Sequence, residues 1–344
     1  MEETAIDDVV LGAPFDDDPN AVSDAPPAIA VALDPQPTES PLLRVEAGCA
    51  WDKENHSCAY DSVIMVLWFV RRKASPRWRN KWQQQAPEWN NPFETAFGSL
   101  ITMAQNRRTS KKALSHAFDS LRETFRDKLS AINPGYFRRH GAVPASVCRI
   151  LGHIFSNSTE HEPCLEQVVT CDWCGTSTPY RCSFTLLGTS TLLDAYLDED
   201  DTSPFLPLQT AVTRYIQHIS RVPWPRTHCT TCSKSLRVES LSMPETAWLW
   251  IELCDAVSPI APSPRLVFGL QDQQRAYTLQ AIIYLGGGHF TARLSDRSGT
   301  WWKYDGMWRS GTPRVDYVED EIDLLENDGR RAAFLLYFDA DLQY

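Results

Sequence analysis

Two Cys-x-x-Cys pairs place the strongest constraint on how this chain can fold. Cys171-Asp172-Trp173-Cys174-Gly175 and Cys229-Thr230-Thr231-Cys232-Ser233 stand 54 residues apart. One such turn sets two thiolates on an edge of a tetrahedron, and two turns complete a four-cysteine zinc site. The intervening segment must then leave the metal and return to it, so zinc is expected to pin the base of an extended β-hairpin. Cys164, Cys182 and His228 lie near enough in sequence to act as substitute ligands. Neither pair opens a helix after a strand, which argues against a redox role. A closed four-thiolate site leaves no position for water, so the expected cofactor is one structural zinc.

Net charge is −11, but residues 1–43 hold ten Asp or Glu and no Lys or Arg. The remainder is therefore nearly neutral, and nucleic acid is not the expected partner. Residues 1–45, rich in Ala, Pro and Asp without hydrophobic periodicity, read as a disordered acidic tail. Residues 46–344 read as a single domain with ample apolar content for a core. The longest apolar run, Val63 to Val70, is far short of a membrane span, and the chain start lacks the pattern of a signal peptide. Ten cysteines in that setting point to a reducing, intracellular location, in cytoplasm or nucleus.

Cys58 to Lys73 is apolar around its whole circumference, as in a helix buried at the middle of a domain, with Ser57 placed to cap it. A Pro/Trp/basic patch follows from Arg71 to Trp89. Leu114, Phe118, Leu121, Phe125 and Leu129 form one apolar stripe on a helix, and Val147, Ile150, Leu151 and Ile154 mark another. From about Glu166 the chain turns to strands: 168–170, 180–187, 236–241, 247–253, 277–285, 290–294 and 333–338. Asp198 to Asp201 and Pro259 to Pro264 read as loops. Helices first and antiparallel strands later make the fold class α+β.

Gly286-Gly287-Gly288-His289-Phe290 precedes a strand, and Asp305 follows sixteen residues after His289 in Trp301-Trp302-Lys303-Tyr304-Asp305. A histidine and an acid on neighbouring strands are the parts of a base and its orienting carboxylate. The nucleophile they need is Cys58. At the first turn of a buried helix, free N–H groups and the positive dipole end favour a thiolate.

On these residues the chain resembles the ubiquitin-specific proteases, a papain-like cysteine peptidase family. Cys58-Ala59-Tyr60-Asp61-Ser62 matches the Cys box, written Cys-Tyr-x-Asn-Ser. Tyr277-Thr278-Leu279-Gln280-Ala281 running on to Gly288-His289-Phe290-Thr291-Ala292 matches the His box, and Trp301 to Asp305 the segment carrying the third triad member. The two Cys-x-x-Cys pairs correspond to zinc-bearing fingers, 247–253 to the palm strand before the His box, and 333–338 to the closing strand. The resemblance covers roughly residues 46–344.

It implies a helical thumb (46–160), a zinc-bearing β fingers insertion (161–242) and an antiparallel β palm (243–344). It also implies a Cys58–His289–Asp305 triad that cleaves after the C-terminal Gly-Gly of ubiquitin conjugates, with Gly287 and Gly288 lining the channel for the tail. The departures bear on substrate. Lys53 stands where the family has its oxyanion Asn, leaving Asn55 as candidate beside the Cys58 backbone N–H. Asp61 replaces the usual Asn and is similar to the SUMO-directed branch. The glycine run is short, and the acidic helix motif after the Cys box is not recognisable around Gly141 to Ile154. Two alternatives stay open: an isopeptidase for SUMO or another ubiquitin-like modifier, and a pseudoenzyme that binds modifier without cutting. A nucleic-acid-binding zinc protein, built on the basic aromatic stretch from Arg71 to Trp82, is a third and weaker reading.

Overall fold

The all-round apolar run is a helix with the expected limits, α1 (Cys58–Lys73), and every residue from Cys58 to Val70 is buried. Such a helix needs apolar neighbours on all sides. In this computed structural model, helices supply them on one side and a large sheet on the other. The structure describes residues 47–344 apart from 86, 107, 142–144, 156–163, 184–185, 189–205, 224–226, 243–245, 254–259, 270–273, 297, 317–322 and 343–344. The acidic tail 1–45 and the loop at Asp198 to Asp201 fall outside the described residues.

Four more helices complete the first half: α2 (Pro76–Gln85), α3 (Pro87–Gln105), α4 (Lys111–Ile132) and α5 (Val147–Phe155). The stripe expected on α4 is its buried face, and Ser110 caps it by accepting from the Ala113 N–H at 3.1 Å. The Pro/Trp/basic patch turns out to be the last turn of α1, α2 and the start of α3. Its tryptophans face inward: Trp78 stacks on Phe338 at 4.7 Å between ring centroids, and Trp82 and Trp89 are in the core. Pro92 lies inside α3 and has no N–H, so the Glu88 carbonyl loses its helical partner. The Lys128 ammonium of α4 donates to that carbonyl instead.

The second half is mostly antiparallel sheet, as expected, with two corrections. A helix, α6 (Leu208–Ile219), sits among the strands. Its buried Leu208, Ala211, Val212, Tyr215, Ile216 and Ile219 repeat at helical spacing. Two pairings are parallel: β3 (Leu186–Gly188) with β6 (Trp248–Glu252), and β4 (Leu206–Pro207) with β7 (Ile260–Ala261). The expected strand at 180–187 is accordingly split between β2 (Ser177–Ser183) and β3, which belong to different sheets.

The large sheet runs β12 (Arg314–Val315), β11 (Trp301–Tyr304), β10 (His289–Ser295), β9 (Arg275–Gly286), β14 (Arg330–Asp339), β6, β3. Two short strands attach to it, β8 (Arg265–Phe268) on β9 and β13 (Glu326–Asn327) on β14. Its long strands are buried over most of their length because both faces are covered. Phe334, Leu336 and Phe338 of β14 join the α1 core, while Leu335 and Tyr337 join the α6 core on the opposite face. A second sheet of β2, β1 (Cys164–Cys171) and β5 (Leu236–Ser242) carries the paired cysteines at one end. Among the described residues, no helix is long and apolar enough to cross a membrane.

Candidate functional site

Cys58 begins α1, His289 begins β10 and Asp305 directly follows β11. β10 and β11 are antiparallel neighbours with Ala292 opposite Tyr304, which brings Asp305 toward the His289 end of β10. His289 Nε2 lies 2.9 Å from Asp305 Oδ1. Cys58 acts on the His289 imidazole as well, and with Nε2 on Asp305 the ring nitrogen that can serve the thiol is Nδ1. Burial pushes the His289 imidazole down, but the bonds and charges of Asp305 and Cys58 outweigh it and raise its pKa to about 9. Burial likewise raises Asp305, but bonds from His289 and from the Met307 N–H at 2.9 Å hold the carboxyl below its ordinary range.

No sequence motif points to Trp51, yet its ring packs edge-on against His289 with centroids 5.9 Å apart. Its backbone N–H donates to the Gly306 carbonyl at 3.0 Å. A Cβ on Gly306 would come within 3.3 Å of the Trp51 backbone nitrogen, so glycine after Asp305 permits this close approach. The contact joins residues 51 and 306, and no local pattern signals a pairing across that distance in sequence.

The loop before Cys58 departs from expectation at Ser57. Ser57 occupies the cap position of α1, but its backbone is helical and its side chain caps nothing. Its hydroxyl donates to Asp61 Oδ2 at 2.6 Å and accepts from the Asp52 N–H at 2.7 Å. The Asn55 side chain, the oxyanion candidate, donates to Asp52 Oδ2 at 2.7 Å and accepts from the Gly141 N–H at 2.8 Å. Lys53 is exposed. Gly287 and Gly288 are the two central residues of a tight hairpin in which Gly286 faces His289, with φ of 60° and 72°. Both are exposed, and left-handed backbone at two successive positions is why glycine stands there.

Cys171, Cys174, Cys229 and Cys232 bring their sulfurs within 4.8 Å of one another. Cys171–Cys232, Cys174–Cys229 and Cys174–Cys232 are 3.5, 3.6 and 3.7 Å apart. Zinc–sulfur bonds of about 2.3 Å in a tetrahedron require edges of about 3.8 Å, so the four thiols fit a zinc ion. The expected position needs correcting: the sulfurs sit in two turns at one end of the three-stranded sheet, not at the base of one hairpin. The turns are built alike. Gly175 N–H donates to the Cys171 carbonyl and Ser233 N–H to the Cys229 carbonyl, both at 2.9 Å. The residue after each second cysteine is left-handed, Gly175 at φ 71° and Ser233 at φ 57°.

No protein-family model matches the chain, and no curated protein matches it. Among solved structures it is similar to the SAGA DUB module of Ubp8, Sgf11, Sus1 and Sgf73 bound to monoubiquitin. That match has 14% identity and a TM-score of 0.51, covering 87% of this chain and 70% of that one. Another structure of the module, with a shortened Sgf11, matches at 13% identity and a TM-score of 0.49, over 85% of this chain and 69% of that one. The first match shows the fold: a mixed helix-and-sheet architecture shared with that SAGA DUB module.

Proposed function

We propose that this chain is a thiol-dependent isopeptidase of the ubiquitin-specific protease type, acting on conjugates of ubiquitin or a ubiquitin-like modifier. The observation that carries this is the His289 ring bonded to Asp305 and shifted by the Cys58 thiol at the start of a buried helix. The shared fold supports it, and the related module was solved with monoubiquitin. The helical part to about residue 160 corresponds to a thumb, the three-stranded sheet with its cysteines to fingers, and the large sheet to a palm. Zinc held by Cys171, Cys174, Cys229 and Cys232 would cross-link the finger turns and take no part in bond breaking. An intracellular location, in cytoplasm or nucleus, belongs to the same proposal.

In this mechanism His289 takes the Cys58 proton, and the sulfur attacks the carbonyl carbon of the modifier's terminal glycine. Charge developing on the carbonyl oxygen is met by the Cys58 backbone N–H. The tetrahedral centre collapses, the carbon–nitrogen bond breaks, and His289 returns the proton to the departing lysine amine, leaving a thioester. Water then attacks that thioester with His289 as base, releasing the modifier carboxylate and restoring the thiol. Asp305 holds the imidazole in orientation throughout. The exposed glycine turn next to His289 is suited to lie along a glycine-glycine tail, which brings no side chains to clash with it.

A second reading, a domain that binds modifier without cutting it, is favoured by one observation. The Asn55 amide is already committed to Asp52, and exposed Lys53 stands where the family's oxyanion Asn belongs. Ubiquitin and SUMO carrying a C-terminal electrophile separate the readings, with Cys58→Ala as control. Covalent labelling at Cys58 by either probe supports the isopeptidase and names the modifier. Saturable binding without labelling supports the second reading, and neither outcome in a folded, zinc-loaded protein rejects both.

A further inference from the structure

One face of α4 reaches across to the loop that delivers Cys58. Asp119, Arg122 and Arg126 lie at offsets of three and four residues, a single stripe beside the apolar one. Asp119 Oδ1 accepts from the Ala50 N–H at 3.1 Å, and Arg122 Nη1 donates to the Ala50 carbonyl at 2.5 Å. Arg126 Nη2 donates to the Asn55 carbonyl at 3.1 Å, and its guanidinium lies 5.0 Å from the centre of the Tyr60 ring. The segment 50–57 is thus held from one helix at both ends.

At the centre is a buried ion pair. Arg122 Nη1 lies 3.2 Å from Asp61 Oδ1, with the two side chains 7% and 1% exposed. The other oxygen of Asp61 accepts from the Ser57 hydroxyl, which itself accepts from the Asp52 N–H. A continuous path therefore runs from Arg122 through Asp61 and Ser57 to the backbone of the loop, one residue before Cys58. His56, on that loop, is left-handed at φ 46°, a conformation that persists only where surroundings enforce it. Burial raises the Asp61 carboxyl to about 7 against the pull of Arg122 and Ser57, so its charge depends on these partners.

We propose that Arg122 and Asp61 are positioning residues of the candidate catalytic centre: the pair ties α4 to the loop 50–57 and holds the Cys58 thiol in reach of His289. This rests on the reading of Cys58 as nucleophile. A misplacement of about 1 Å in such a site is worth roughly 100-fold in rate. Arg122→Gln and Asp61→Asn are therefore each expected to slow labelling by the ubiquitin or SUMO probe roughly 10- to 100-fold. Arg122→Lys should recover part of the loss, and the double variant should cost little more than either single one.

Two readouts do not depend on the modifier. One is the pH profile of Cys58 alkylation by iodoacetamide, followed peptide by peptide; the other is hydrogen exchange over residues 50–57. In the variants, alkylation near neutral pH should slow. Exchange should rise in the loop while the large sheet stays protected. If Arg122→Gln does not fold, Arg122→Lys and Asp61→Asn carry the same measurements. Wild-type alkylation, exchange and labelling in folded variants would overturn the proposal. If no modifier probe labels the wild type, the isopeptidase reading fails separately, and the alkylation and exchange arms still decide the positioning role.

Discussion

Replacing Asp305 by Asn tests the electrostatics of the site directly. His289 is pushed from an ordinary 6.5 to about 9, raised by hydrogen bonds and charges from Asp305 and Cys58 against the opposing effect of burial. At pH 7.5 an imidazole titrating near 9 is about 97% protonated, and one titrating at 6.5 is about 9% protonated. Loss of the whole elevation would thus cut the imidazolium population about tenfold, before any loss of ring orientation. The full elevation corresponds to roughly 3 kcal/mol. Its sign follows from linkage: a folded pKa above the unfolded one means that the native state holds the proton more tightly. The stabilisation is complete below about 6.5 and is lost as pH rises through about 9. NMR of labelled histidine reads the midpoint, and urea melts across that window read the energy. Wild type should titrate near 9 and lose stability from pH 6.5 upward. Asp305→Asn should titrate closer to 6.5, show a flatter stability profile, and label with the modifier probe more slowly at pH 7.5, by up to about tenfold from the lost imidazolium population. A His289 midpoint near 6.5 in folded wild type would refute the electrostatic account of the site.

Changing any one of Cys171, Cys174, Cys229 or Cys232 to Ser should release one equivalent of zinc and destabilise the three-stranded sheet; retention of the equivalent by metal analysis would show that the ligand set is wrong. Ser233→Gly removes a left-handed non-glycine residue from the second turn and should stabilise the zinc-loaded protein by about 0.5–1 kcal/mol in thermal melts, whereas a loss would mean that the Ser233 side chain has another role. Trp82→Ala should cost about 3–5 kcal/mol in denaturant titration, since Trp82 is fully buried and packs on Trp78 at 5.2 Å. A small cost, coupled to loss of nucleic-acid binding, would reinstate the basic aromatic stretch as a recognition surface.

Features whose pattern repeats along the chain are legible in the amino-acid order. The apolar run to Val70, the α4 stripe and the β14 run each follow from a local apolar pattern, continuous or periodic, and the requirement to bury it. α6 carries an equally regular period, but a single helix surrounded by strands does not stand out from them. In α3, Trp89, Phe93, Phe97 and Leu100 repeat on one face, but Pro92 interrupts the pattern, and only the fold brings Lys128 to the freed carbonyl. The cysteine spacing points to a four-thiol site, but not to two matching turns at one sheet end as its frame.

Cys58, His289, Asp305 and the four zinc-type cysteines can be named from sequence because each has a chemistry that few contexts tolerate. Tertiary structure alone settles what the ordinary polar residues do. Ser57 reads as a cap and is a link to Asp61; Asn55 reads as an oxyanion donor and is held by Asp52 and Gly141. Arg122, which no sequence pattern singles out, is buried against Asp61 of α1. Local spacing records which residues must be hidden and which carry reactive atoms. A hydrogen bond commits a donor to whichever acceptor the fold brings near, and for these side chains the acceptor lies on another element or in a loop whose shape the fold sets.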